Sequence, residues 1–222
     1  EAVNSDERLT APMVKQNGQW QTTDWNTALE YVARSFNKIK ARHGAASLGA
    51  LGSAHSTVEQ LHLLAKLMRG LGSQTIDHRT RHADFANRAP KGSAHWLGTS
   101  IAALSTLDRA LVVGSFLRKD HPLFAQRIRQ SVRRGGKVLS LHAVHDDWAM
   151  PLATQFTAAP SAWADALAQV AAAVAKAKGV AAPAPADAGP AAQAIAASLL
   201  GGERKALLLG NAAAQHPQAA QL

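Results

Sequence analysis

Residues 47–84, SLGALGSAHSTVEQLHLLAKLMRGLGSQTIDHRTRHAD, decide the fold. The apolar run 47–51 ahead of Gly52-Ser53 suits a buried parallel strand that turns sharply into a helix. Ser56 and Glu59 have the S-x-x-E spacing of a capping box, in which hydroxyl and carboxylate satisfy the free amides of a helix start, so the helix begins at about Thr57. Leu61, Leu64, Ala65 and Met68 recur along one face, and Gly70 and Gly72 supply the backbone freedom that ends the helix. Residues 74–77 make a brief second strand. Strand, turn, helix and strand form a βαβ unit, and α/β proteins place ligands at the carboxyl ends of such strands.

The loop that follows is strongly cationic. His78, Arg79, Arg81, His82, Arg88, Lys91 and His95 fall within eighteen residues that hold one acid, Asp84. Arginine offers paired donors matched to phosphate oxygens, and a turn adds free amides, so Gly52, Ser53, His78, Arg79 and Arg81 are the candidate anion-binding set. A solvated or partner-facing basic loop has the same composition, and both readings stay open.

The rest of the chain extends this unit. Asn17-Gly18 between two β-prone runs marks a hairpin over residues 1–23. Asp24 caps a helix over Trp25–His43 in which Leu29, Val32, Phe36 and Ile39 form one apolar stripe, read as core packing, and Gly44 stops it. Ser100 caps a short helical turn over 101–105. Residues 109–114, RALVVG, are a third buried strand with an outgoing loop at 115–119. Asp120 and Pro122 open a helix over 123–134, with Phe124, Ile128 and Val132 inward, and residues 137–141 are a fourth strand. Ser161 caps an alanine-rich helix ending near Lys178. The stretch 179–190, GVAAPAPADAGP, has linker composition, and 191–222 reads as the start of a further βα segment, truncated. Strands alternating with helices across 24–178 predict a doubly wound, mostly parallel α/β sheet with flanking helices.

Composition removes several function classes. The 222 residues contain no cysteine, so disulfides, thiolate metal sites and iron–sulfur ligation are excluded within them. No apolar run approaches the roughly 20 residues that span a bilayer. The N-terminus shows neither an initiator Met nor a signal-peptide pattern, which reads as a cut inside a longer polypeptide. A net charge of +9 and a pI near 10.4 suit an anionic partner. With 5% aromatic residues and one Tyr, however, the basic residues do not interleave with the stacking platforms that single-stranded nucleic acid needs.

Familiar catalytic motifs are missing. There is no G-x-S-x-G elbow, H-E-x-x-H pair or Walker lysine loop, and Gly49 and Gly52 do not complete a G-x-G-x-x-G fingerprint. Ser53 near His55 is a conceivable nucleophile pair, although strand-end serines usually serve turns. His142, His145, Asp146 and Asp147 are competent metal ligands, but their spacing matches no established zinc pattern, and Asp residues also build turns. The residues alone yield no catalytic set and no metal site.

Taken together, several segments resemble the molybdopterin oxidoreductase superfamily. They are Arg8-Leu-Thr-Ala-Pro-Met13, Trp20, Thr23-Asp-Trp-Asn-Thr-Ala-Leu-Glu30, Gly52-Ser53, Leu67-Met-Arg-Gly-Leu-Gly-Ser73 and Ile76-Asp-His-Arg79. Leu111-Val-Val-Gly-Ser115 with Pro122, and Gly135-Gly-Lys-Val138, resemble the next βαβ unit of that family. Within the superfamily, NSDERLTAPMVKQNGQW (4–20) and GLGSQTIDHRTRH (70–82) are most similar to the large iron–sulfur subunits of bacterial NADH:quinone oxidoreductase, respiratory complex I. The resemblance is good to about residue 150 and weak beyond.

The resemblance implies a domain like those of formate dehydrogenase and DMSO reductase. Catalytic relatives carry a Cys, selenocysteine or Ser shortly after the position of Ile76-Asp77 as a ligand to molybdenum or tungsten. Here Arg81-His-Ala-Asp84 offers no thiolate, and Ala83 stands roughly where the ligand would be. The expectation is therefore a vestigial pocket at Gly52, Ser53, His78, Arg79 and Arg81, with no cofactor in this stretch and no activity of the stretch alone. Membership of the complex I branch further implies 2Fe-2S and 4Fe-4S clusters in a preceding part of the chain. It also implies peripheral-arm subunits as partners and a place on the cytoplasmic side of the bacterial inner membrane. The alternative is a module that still binds a pterin or guanine dinucleotide.

Overall fold

A computed structural model of the chain describes residues 4–78, 81, 83–86 and 96–222. The chain divides into two units, Glu1–Thr80 and Arg81–Leu222.

In the first unit, strands β1 (Met13–Gln16) and β2 (Gln19–Thr22) pair antiparallel, Met13 opposite Thr22 and Gln16 opposite Gln19. Asn17 (φ 49°) and Gly18 (φ 82°) both take the left-handed region, the two-residue turn that Asn-Gly favours because its twist matches the strands. Helix α1 (Trp25–His43) starts where Asp24 accepts hydrogen bonds from the Thr27 backbone N–H (2.9 Å) and hydroxyl (2.8 Å). The expected core stripe is not a core here. No α1 residue is buried, Leu29 being 59% exposed and Val32 43%, with Phe36 half-buried. Periodicity establishes that a helix has an apolar face, not what covers it.

A 3₁₀ turn over Ala45–Ser47 shortens the next strand, β3, to Ala50–Leu51, which pairs parallel with β4 (Ile76–Asp77). Among the described residues this pair gains no further strand, and Leu51, expected to be buried, is 64% exposed. Helix α2 (Val58–Gly70) carries a capping box one residue later than its sequence suggests. Thr57 Oγ1 accepts from the Gln60 N–H (3.2 Å), and Gln60 Oε1 accepts from the Thr57 N–H (3.0 Å). Ser56/Glu59 and Thr57/Gln60 both satisfy the motif, and the spacing cannot choose between adjacent registers. Met68 turns inward from this helix (3% exposed), and Gly72 (φ 86°) reverses the chain behind it.

The second unit contains the expected doubly wound parallel sheet. Strands β5 (Arg109–Val113), β6 (Lys137–His142), β7 (Thr154–Thr157) and β8 (Lys205–Leu209) lie in the order β7-β6-β5-β8, all parallel. The chain leaves β5 through α3 (Leu117–Asp120) and α4 (Pro122–Arg133), enters β6 and steps to β7. It then returns through α5 (Trp163–Lys178) and α6 (Pro190–Leu200) to the other side of β5. Alternation along the strands splits the core. Leu111, Val113, Leu139 and Leu141 pack with Trp163, Val170 and Ile195 on the α5–α6 face. Ala110, Val112 and Val138 pack with Leu104, Ile128 and Trp148 on the α4 face. Both layers bury the central strands, as a parallel sheet requires.

Two details depart from the sequence reading. Strand β7 (TQFT) carries no strand signal in the sequence, and helix α5 is preceded by a 3₁₀ turn over Pro160–Ala162 instead of being capped by the Ser161 side chain. The segment expected to start a further βα unit supplies β8 and α7 (Asn211–Ala214) to this same sheet and its edge.

Candidate functional site

Parallel α/β sheets hold ligands outside the carboxyl ends of their strands, so the two such edges are the places to look. In the first unit, β3 and β4 bring two candidate residues together. A β-carbon on Gly52 would lie 3.7 Å from His78 Cβ and 3.1 Å from Leu61 Cδ2, and the Gly52 N–H donates to Asp77 O (2.7 Å). Ser53 is exposed, and its hydroxyl oxygen accepts from the His55 N–H (3.2 Å), a turn contact and not an activated nucleophile. The His78 N–H donates to Asp77 Oδ1 (2.7 Å). Arg79 lies outside the described residues, as do His82, Arg88, Lys91 and His95. Arg81 is exposed and belongs to the second unit.

Asp84, the acid of the cationic loop, is engaged through both carboxylate oxygens. Its Oδ1 accepts from the Ala86 N–H (2.9 Å) and its Oδ2 from the Ala220 N–H (2.9 Å). These backbone donors, Ala86 first, hold its carboxyl below the usual carboxylate range.

In the second unit the strand order reverses between β5 and β8, which makes the carboxyl ends of these strands the topological switch point. Gly114 (φ 64°) and Gly210 form the two turns there. Sequence reasoning does not bring these two turns together; a glycine directly after each of two apolar strands is the available signal. Three of the turn amides are committed: Gly114 N–H to Leu141 O (2.9 Å), Gly210 N–H to Val113 O (2.8 Å) and Ala212 N–H to Gly114 O (3.0 Å). Ser115 is buried and donates its hydroxyl to Asp120 Oδ2 (2.7 Å).

The His/Asp turn after β6 does not assemble as a metal centre. His142 Nε2 lies 3.5 Å from Asp146 Oδ2, while Asp147 turns away to Arg118 (2.8 Å) and accepts from the Ala149 N–H, contacts that hold its carboxyl below the usual range. His145 is exposed. Among the described residues, no group of three or more His, Cys, Asp or Glu side chains is placed to hold a metal ion, and no helix is long and apolar enough to cross a membrane.

A cleft of about 470 Å³ opens on the opposite edge, at the amino ends of β5, β6 and β8. Three of its charged side chains, Asp108, Arg109 and Arg204, are engaged within the fold. Asp108 receives Arg204 at 2.7 Å and the backbone N–H groups of Glu203 and Arg204, and the Arg109 guanidinium donates to Ser198 O and Gly201 O at the end of α6. This edge closes helix and strand ends.

Comparison with known proteins agrees with this architecture. The family model described as molybdopterin oxidoreductase matches residues 8–221. Proteins of Staphylococcus aureus strains MRSA252 and USA300, each named "Putative formate dehydrogenase", are 30% identical over 141 residues, covering 61% of this chain. The chain spans 14% of the length of these relatives. Among solved structures, acetylene hydratase from Pelobacter acetylenicus superposes with a TM-score of 0.56 at 19% identity, covering 79% of this chain and 25% of that one, a likeness of fold. The matched residues run through both units, and the chain belongs to the molybdopterin oxidoreductase family.

Proposed function

We propose that this chain is a non-catalytic scaffold and docking domain of the large iron–sulfur subunit of bacterial NADH:quinone oxidoreductase. That complex carries electrons from NADH to quinone, through iron–sulfur clusters bound elsewhere in the longer polypeptide. The domain docks against other peripheral-arm subunits on the cytoplasmic side of the membrane and covers neighbouring clusters. Shielding a cluster from water shifts its potential, so a cover without chemistry of its own still affects electron transfer.

The observation that carries this reading is the donor set beyond β4. Molybdenum or tungsten bound through pterin dithiolenes is a soft centre, and the family's protein ligand to it is a thiolate, selenolate or serine oxygen. This chain has no cysteine, Ala83 occupies the corresponding neighbourhood, and the Asp84 carboxylate is taken by two backbone N–H groups. These residues do not fit the metal. The segments 4–20 and 70–82 support the assignment to complex I within the family.

The test is deletion of residues 25–178 from the full-length subunit, followed by reconstitution. The expected result is failed assembly and loss of NADH:quinone activity; full assembly with undiminished activity overturns the proposal. A second reading, a pterin- or guanine-dinucleotide module, is favoured by the approach of Gly52 to His78 at paired strand ends. It predicts a pterin or guanine nucleotide in the mass spectrum of the denatured protein after cofactor-replete expression.

A further inference from the structure

We infer that the β5/β8 switch point of the second unit is plugged by the chain's own aromatic side chains and accepts no nucleotide. Three rings from separate elements fill it. His142, the last residue of β6, stacks on Trp163, the first residue of α5, with centroids 6.1 Å apart and planes at 27°. Trp163 stacks in turn on His216 beyond α7, at 5.9 Å and 28°. Trp163 is 1% exposed and His216 6%.

The indole reaches the switch point itself. A β-carbon on Gly114 would stand 2.8 Å from Trp163 Cζ3 and 2.6 Å from the Ala213 nitrogen. A β-carbon on Gly210 would overlap Ser115 Cβ. Glycine at such turns elsewhere lets a phosphate approach the backbone, and here it lets the chain approach itself. A phosphate cradle also needs unspent amides, and three of those at the two turns, Gly114, Gly210 and Ala212, already donate to carbonyls of the fold.

The plug is locked at both sides. His216 Nδ1 accepts from the Gln218 N–H (3.0 Å), so its proton sits on Nε2, which donates to Pro160 O (2.9 Å). Trp163 Nε1 donates to Ala158 O (3.0 Å). The residues 158–163 and 210–218 are thus tied across the carboxyl edge of the sheet, in a crevice where a planar base would otherwise stack.

This deepens the non-catalytic reading, and the guanine nucleotide used as probe is the ligand that the second reading would require. The full 222-residue chain is titrated with guanosine diphosphate while its amide resonances are followed. No saturable shift of the Gly114, Ser115 or Gly210 amides is expected up to about 1 mM, the weak end of specific affinity. Saturable shifts there overturn the plug, while the assignment to complex I stands or falls separately on the deletion experiment. His216→Ala removes one ring and both of its hydrogen bonds. Hydrogen exchange at the Trp163 indole N–H is expected to accelerate about tenfold in this variant. Unchanged exchange in a folded His216→Ala chain contradicts the lock, and if this variant does not fold the wild-type titration decides alone.

Discussion

Asp84 Oδ2 accepts a hydrogen bond from the backbone N–H of Ala220 at 2.9 Å, across 136 positions of the chain. The acid of the cationic loop thereby fastens the C-terminal turn instead of facing a ligand. Because its pKa is depressed in the folded state, its stabilising contribution is fully present above the ordinary carboxylate pKa of about 4 and is lost as pH falls through the folded value. Protection of the Ala220 amide from hydrogen exchange should therefore persist at neutral pH and disappear in strong acid. Asp84→Asn should weaken it already at neutral pH.

The position of the α2 cap distinguishes two adjacent serine and threonine hydroxyls. Thr57→Ala removes the hydroxyl bonded to the Gln60 N–H and should cost about 1 kcal/mol in chemical denaturation. Ser56→Ala should change stability by less than about 0.5 kcal/mol. The reverse order would restore the Ser56/Glu59 register.

Two glycines share a left-handed conformation but not their surroundings. Gly179 (φ 65°) has open space where a side chain would go, so Gly179→Ala should cost only the left-handed penalty of about 1–2 kcal/mol. Gly114 (φ 64°) faces the Ala213 backbone and Trp163, so Gly114→Ala should lower the melting temperature much further, by pushing apart β5 and the C-terminal turn.

Leu111 and Leu207 are register partners in β5 and β8, yet Leu111 is fully buried and Leu207 is 64% exposed because β8 is the edge strand. Leu111→Ala should cost about 2–5 kcal/mol, through lost burial and the cavity left behind. Leu207→Ala should cost less than about 1 kcal/mol. Urea titrations of the two variants compare them directly.

The sequence was most informative where one local rule acts alone. Asn17-Gly18, the Asp24 cap and the bounds of α1 follow from turn chemistry and capping, and the structure has them where those rules put them. Legibility ended where tertiary partners decide. The α1 stripe gave no hint that Leu29 would stay exposed, and TQFT was too short and polar to announce a strand until Ser140 and Gln155 are seen as register partners. At the candidate site, Gly52 and His78 were legible as neighbours because both end strands of one βαβ unit. The stack of His142, Trp163 and His216 was not, since it joins residues from three elements that no local pattern relates.

The most direct measurement of the central claim is elemental and cofactor analysis of the full-length parent polypeptide, purified after expression with molybdate, tungstate and pterin synthesis intact. The account predicts iron in cluster stoichiometry with molybdenum and tungsten far below one per chain and no pterin released on denaturation. Molybdenum or tungsten near one per chain, accompanied by a pterin, would contradict it and return the chain to the catalytic members of its family.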